Sequence, residues 1–413
     1  MRIVSSAPAS RRLQAASAVA LMALLAFALL TPWVEGRWAL SVYQAGVFVL
    51  GMIWCANVCL PGRPVRVHAL LIPLGGAVGW ALVQLASGST VYRWDTWNSL
   101  LQWGMNLVLF FVALQVFADS SLRDRFLESL LYFAGALSIV ATVQTFTSQG
   151  KIFWLFPSGY TDFVMGPFVY HNHYAAFIEL VLPLAVMGAV RKARNAWICA
   201  ILAGSMIASV IASASRAGTA LVLAETAFLF ATVALRRGVE WKTVAGACAR
   251  IALLLPVFVS VIGFDTLWRR FQVPDPFGER LEMTQASLDM VRDRPWLGFG
   301  LGAWPRVYPA YARTDDGLFA NQAHDDWAQW AAEGGIPFLL LMLTIAGWSV
   351  AAAPRRPLAA GLATVLVHAL IDYPMQKPSL SALFFTLAGL IAAKVSATDE
   401  QRPGKRPATD EHG

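Results

Sequence analysis

The chain has 413 residues, of which 57% are hydrophobic and only 14% charged, with a formal net charge of +7. A soluble domain carries about 25% charged residues, so the composition excludes an ordinary soluble protein and points to a polytopic membrane protein. The four cysteines (Cys55, Cys59, Cys199 and Cys248) all lie in apolar runs, which fits neither a zinc site nor a disulfide framework and suits small apolar filler.

A helix needs about 20 apolar residues to cross a bilayer. Twelve stretches qualify, at roughly 13–33, 38–59, 67–86, 97–117, 127–147, 172–190, 195–213, 217–235, 243–264, 329–350, 358–371 and 379–394. The eleventh is short. The first follows Arg2, Arg11 and Arg12, as a signal peptide would. Its apolar run exceeds the ~7–15 residues of a signal core and no cleavage site follows, so it is read as a retained helix.

Basic residues then orient the stretches. The N-terminus, the Arg63/Arg66, Arg123/Arg125, Arg191–Arg194, Arg236–Lys242 and Arg355/Arg356 connections and the tail from Lys394 are basic, and these are every second connection. The intervening short loops hold single basic residues: Arg37, Arg93, Lys151, Arg216 and Lys377. The expected fold is therefore all-α, a polytopic membrane protein of about 12 transmembrane helices with both termini cytoplasmic. The expected division is N-terminal transmembrane helices at 1–165, a second transmembrane group at 166–264 and one long outward-facing loop at 265–328. C-terminal transmembrane helices at 329–394 and a disordered cytoplasmic tail at 395–413 complete it. The positive charge is a topology signal, so no nucleic-acid partner is expected. The absence of a Walker loop argues against ATP-driven transport by this chain.

Three polar constellations fall on the outward side. GPFVYHNHYAAFIELVLPLA (Gly166–Ala185) places His171, Asn172 and His173 at the start of the sixth stretch, with Glu179 about two turns deeper, roughly 10 Å. The plain reading is interfacial: Asn172 caps the helix, and the histidines and Tyr174 sit at headgroup level. SASRAGTALVLAE (Ser213–Glu225) puts Arg216 at a helix start, where N–H groups and a guanidinium together favour phosphate. A snorkelling arginine is the alternative. Glu225 lies at a depth similar to that of Glu179, and intramembrane carboxylates are candidates for function.

The third constellation is the long polar stretch. A helix is expected from about Phe277 to Asp293, with Pro276 at its first turn and Pro295 beyond its end. Leu281, Leu288 and Val291 share a face, which predicts a helix lying on the membrane or on other helices. Arg280 in its first turn runs against the helix dipole and so stands out. LGFGLG (Leu297–Gly302) superficially resembles a nucleotide fingerprint, but no strand precedes it, and a tight turn between two surface helices is expected. NQAHDDWAQW places His324 just before or within the first turn of the tenth stretch, able to accept a proton near neutral pH. Asp315, Asp316, Asp325 and Asp326 could bind a divalent cation, although solvated loop carboxylates are the plainer reading; no metal and no cofactor are expected.

These motifs, in this order, resemble the O-antigen ligase and O-antigen polymerase superfamily. The resemblance covers roughly Gly166 to Gly335 and runs through GPFVYHNHYAAFIELVLPLA, SASRAG, ERLEMTQASLDMVRDRPWLGFGLGAW and AHDDWAQWAAEGG. It implies a metal-independent membrane glycosyltransferase of the GT-C type in the bacterial inner membrane, with the long loop periplasmic. Such enzymes move a glycan from an undecaprenyl-diphosphate carrier to an acceptor hydroxyl on lipid A–core or on a growing glycan. Arg216 matches the arginine of the family's S-x-S-R-x-G motif, Arg280 the arginine before the P-x-x-G-x-G turn, and His324 the histidine of its A-H-N stretch. The resemblance implies that the arginines hold the diphosphate and the histidine serves as base. His171, Asn172, His173, Glu179, Glu225 and Asp325 are the expected substrate-binding residues. Asp325 stands where the family has asparagine, and its carboxylate would either raise the histidine's pKa or orient its ring. A polysaccharide transporter or flippase using Glu179 and Glu225 is the competing class, and a protein O-oligosaccharyltransferase is a sibling reading.

Overall fold

The computed structural model describes residues 8–399 apart from 62–64, 161–163, 192–194, 237–240, 263–264, 266–267, 270–271, 273–276, 314–316 and 318. The apolar stretches form helices α1 (Pro8–Leu30), α2 (Arg37–Val58), α3 (Leu71–Ser87), α4 (Arg93–Val116), α5 (Ser120–Thr147) and α6 (His171–Val190). They continue as α7 (Ala196–Ala212), α8 (Arg216–Ala234) and α9 (Trp241–Ile262). The long polar stretch supplies α10 (Phe277–Asp293), after which come α11 (Asp326–Ala352), α12 (Leu358–His368) and α13 (Pro378–Asp399). Seven of these, α1, α2, α4, α5, α6, α8 and α11, contain segments long and apolar enough to cross a membrane. The described parts of α3, α7, α12 and α13 are shorter apolar helices. The fold is that of an all-α multi-pass membrane protein.

Large apolar side chains on the outside fit this reading. Val49, Met52, Ile72, Leu253, Leu340 and Val350 are all at least half exposed, a surface that lipid solvates and water does not. Cys55, Cys59 and Cys248 are exposed and unpaired, so they do not fill the interior as expected; Cys199 is partly buried.

Helix α6 is the hub. Sixteen of its residues are buried, and α5, α7, α8, α9, α12 and α13 pack against it. Small residues allow the close approaches. A Cβ at Gly361 of α12 would collide with the Glu179 carbonyl of α6, and one at Gly389 of α13 with the Phe110 carbonyl of α4.

Several expectations need correction. Helix α5 begins seven residues before its apolar stretch because the Asp119 side chain accepts from the N–H groups of Ser121 and Leu122. The connection between α5 and α6 contains a small antiparallel hairpin, β1 (Lys151–Ile152) paired with β2 (Phe156–Pro157). Helix α10 has the expected ends, and its Leu281 and Leu288 are exposed, so that face does not pack on other helices of the chain. Its buried side is Ala286, Ser287 and Met290, where Trp304 Nε1 donates to Ser287 Oγ at 2.8 Å.

The tenth stretch is not one continuous helix. Gly335 has φ 68° and ψ −176°, a break followed by Pro337. The break frees the carbonyls of residues 332–334, and the glycine turn takes them up. Phe299 N donates to Ala332 O at 3.1 Å, Gly300 N to Glu333 O at 2.9 Å, and Trp80 Nε1 to Gly334 O at 2.8 Å. The Glu333 carboxylate accepts from Gly302 N at 2.9 Å and Trp304 N at 3.2 Å. Gln84 of α3 closes the arrangement by donating to Leu297 O and Glu333 O and accepting from Leu301 N. LGFGLG does turn between α10 and a short helix at Trp304–Val307, but it is largely buried and wedged against a broken helix. Gly300 needs its glycine: φ is 107°, and a Cβ would strike the Thr90 hydroxyl.

Candidate functional site

The ends of α6 and α8, the residue before α11 and the connection between α12 and α13 converge under α10. Tyr170, immediately before α6, is the centre. Its hydroxyl accepts from Arg280 Nη2 of α10 at 2.9 Å and from Asn172 Nδ2 at 3.0 Å. Asn172 also donates to the Asp372 carboxylate, and its Oδ1 accepts from Ser215 Oγ at 2.6 Å. Ser215 in turn caps α8, accepting from Gly218 N at 3.0 Å. One hydrogen-bonded path thus joins α10, α6, the start of α8 and the α12–α13 connection. Asn172 is a member of that path, not the helix cap expected of it.

His324 has φ 53°, a left-handed backbone that costs energy in a residue other than glycine, although histidine tolerates it better than most. Its Nδ1 lies 3.6 Å from Asp372 Oδ1, an ion-pair distance once the imidazole is protonated and too long for a hydrogen bond. Tyr373 meets the His324 ring edge-on at 4.7 Å and meets His173 in the same way, also at 4.7 Å. Tyr170 and Tyr373 lie face to face, 6.1 Å apart at 12°.

Asp325 does not face the histidine ring. Its carboxylate caps α11, accepting from Trp327 N and Ala328 N at 3.0 Å each. The adjacent Asp326 is buried and anchors the α12–α13 connection, with its Oδ2 accepting from Met375 N at 2.9 Å and its N–H donating to Ala369 O at 2.8 Å. Asp372 takes the place expected for Asp325. Burial opposes its ionisation, yet the neighbouring His324 and the imidazoles of His173 and His368 hold its carboxyl well below the usual range. Burial pushes the phenols of Tyr170 and Tyr373 up, and the Asp372 charge adds to both.

A cavity of about 530 Å³ opens beside His324 and Tyr373, with Glu279, Glu282, Tyr308 and Arg313 on its far walls. Residues 198–343 match the family model described as O-antigen ligase. This part of the chain is similar to that family. The match includes Arg216, Arg280 and His324, and stops short of Asp372. The match supports the O-antigen ligase superfamily for this part of the chain. No protein of curated function matches the chain.

The remaining expected residues divide. Arg216, the first residue of α8 and exposed, follows Ser215 directly and so stands beside the Asn172–Asp372 path. His171 is partly buried, with its ring 5.0 Å from Tyr170. His173 is buried, with its ring edge-on to Tyr373. Glu179 lies away from the cluster, its Oε1 2.8 Å from Nδ1 of His368, and Glu225 is buried in α8. Asp315 and Asp316 lie outside the described residues. Sequence reading passed over Tyr170, Asp372 and Tyr373. The only signal for the last two was a short polar Asp-Tyr-Pro run after an unusually short apolar stretch.

Proposed function

We propose that the chain transfers a glycan from an undecaprenyl-diphosphate carrier to an acceptor hydroxyl at the periplasmic face of the inner membrane. The acceptor is lipid A–core in a ligase or a growing glycan in a polymerase. On this reading twelve helices cross the membrane, both termini are cytoplasmic, and the 265–328 segment lies over the periplasmic end of the bundle. Undecaprenyl diphosphate already carries an activated sugar, so the reaction needs no nucleotide.

The observation that carries the reading is the meeting of His324, Asp372, Tyr170 and Arg280, which come from four separate parts of the chain. His324 takes the proton of the acceptor hydroxyl as its oxygen attacks the anomeric carbon. The bond from that carbon to the diphosphate breaks, and its electron pair leaves with the diphosphate. Arg280 and Arg216 meet the growing negative charge, where fixed cations stabilise the transition state more than the ground state. The Asp372 carboxylate stabilises the imidazolium that forms. The His324–Asp372 separation of 3.6 Å fits a pair that tightens only with substrate in place.

Purified protein given lipid-linked glycan and acceptor tests this directly. Arg216→Ala and His324→Ala are each expected to lower transfer by about 10²- to 10³-fold; transfer undiminished in both removes the mechanism. A transporter is the second reading, favoured by the Glu179–His368 pair and the buried Glu225 inside the bundle. Glycan flipping in liposomes without transfer would decide for it.

A further inference from the structure

A second cavity, of about 190 Å³, also borders Tyr373. Tyr373 lines both cavities, and only the larger one includes His324. Four aromatic residues, Tyr160, Phe168, Tyr170 and Tyr373, wall the smaller one, together with Lys377 and His173. Lys377 is the single basic residue of the α12–α13 connection, and its Nζ lies 5.1 Å from the Tyr373 ring centroid. No carboxylate among the described residues pairs with it. His173 is buried, and its Nε2 has no hydrogen-bond partner among the described residues. Two nitrogen groups able to hold an anion therefore line one aromatic cavity, neither of them spent on a carboxylate among the described residues.

We propose that this cavity is a second oxyanion subsite, in which Lys377 and His173 hold a phosphoryl or carboxylate group borne on a sugar. A partly desolvated ammonium recovers energy by meeting an anion, and aromatic faces suit the apolar side of a sugar ring. Burial lowers the Lys377 pKa, with Asp372 opposing it, which is the condition of a cation lacking a close counter-charge. Asp372 cannot serve as that counter-charge at close range, because its oxygens are engaged by Asn172, by Tyr373 N and by the approach of His324. The subsite is distinct from the proposed arginine site for the carrier diphosphate. That its occupant belongs to a glycan substrate rests on the glycan-transfer reading; that it binds an oxyanion does not.

Full-length protein in detergent would be titrated with glucose 6-phosphate, with inorganic phosphate and with glucose by calorimetry. Glucose 6-phosphate is expected to bind wild type and Arg280→Ala alike, to bind Lys377→Met about tenfold more weakly or worse, and to bind Lys377→Arg nearly as well as wild type. Glucose alone is expected not to bind. If Lys377→Met fails to fold, His173→Gln supplies the weakened variant. Unchanged affinity in Lys377→Met, or in His173→Gln where that variant stands in, overturns the proposal. So does loss of binding in Arg280→Ala with retention in Lys377→Met, and so does the absence of any binding to wild type. Repeating the titration in phosphatidylcholine nanodiscs with and without phosphatidic acid identifies the source of the group. Competition assigns the oxyanion to a lipid headgroup and overturns the sugar-borne assignment; its absence supports that assignment. Because no step of this experiment reads transfer, it stands even where the arginine and histidine roles fail.

Discussion

Glu333 and Asp372 are both buried carboxylates at the same end of the bundle, and each sits where a helix breaks or ends. Around Glu333 the polar groups are satisfied. Main-chain N–H groups of the glycine turn and the Gln329 amide meet its oxygens, and Gln84 closes the remaining gaps. Around Asp372 the carboxylate is engaged, but the imidazoles near it keep open positions: His324 Nδ1 and His173 Nε2 are buried without a hydrogen bond. Buried polar groups are normally paired, and each exception asks for a reason. The saturated cluster welds the long loop to the bundle. The open one sits between two cavities, with groups ready for a proton or an anion.

Substitutions should break this comparison apart. The largest effect is expected on transfer from Arg280→Ala and His324→Ala, a loss of about 10²- to 10³-fold with the thermal midpoint in detergent held. Equal losses of stability and transfer would place these residues in the welded class. Gly300→Ala is expected to do the reverse. With φ at 107° and Thr90 in the way, it should cost about 3 kcal/mol of stability while transfer per folded molecule is kept. Asp372→Asn keeps the shape and removes the charge that would stabilise the imidazolium, so transfer should fall by about 10- to 100-fold at unchanged carrier affinity.

A smaller effect is expected from pH. Burial sets the Lys377 pKa below the ordinary lysine value, so its ammonium is full below that lowered pKa and lost as pH rises through it. Binding of glucose 6-phosphate should therefore weaken with a midpoint below about 10.4, the value for a free lysine. The phenols of Tyr170 and Tyr373 are pushed up and stay neutral over the range, and Asp372 stays ionised. His173 and Tyr160 are the remaining ionisable neighbours, and a His173→Gln, Tyr160→Phe background removes their contribution. The smallest effect belongs to Asp325→Asn. Asparagine caps a helix about as well as aspartate, so stability should shift by less than about 0.5 kcal/mol and transfer should hold. A large loss of transfer would return Asp325 to the chemistry.

Long apolar runs speak for themselves, and for that reason the helices, α10 between its prolines, and the position of His324 just before α11 were all legible in the sequence. Arg280 stood out because a cation at a helix start runs against the dipole, and Arg216 because a guanidinium beside helix-start N–H groups favours phosphate. Asp325 misled because proximity in sequence suggested proximity in space. A residue in the N-cap position turns its carboxylate toward the helix N–H groups behind it, away from the preceding side chain. For Leu281 and Leu288 the helical spacing gave a shared face but not what covers it; the smaller Ala286 and Ser287 turn inward to admit Trp304.

The sequence by itself determined the class of protein, its membrane-length helices and three residues of the candidate site, because lipid solvation and helix geometry act locally and leave a periodic record. Only the tertiary structure decided that Asp372, not Asp325, faces His324, that Tyr170 ties Arg280 to Asn172, and that Gly335 breaks a helix for the glycine turn to mend. Tyr170 and Asp372 are 202 residues apart. Contacts of that range depend on how α6 and α12 pack, and no local pattern encodes them.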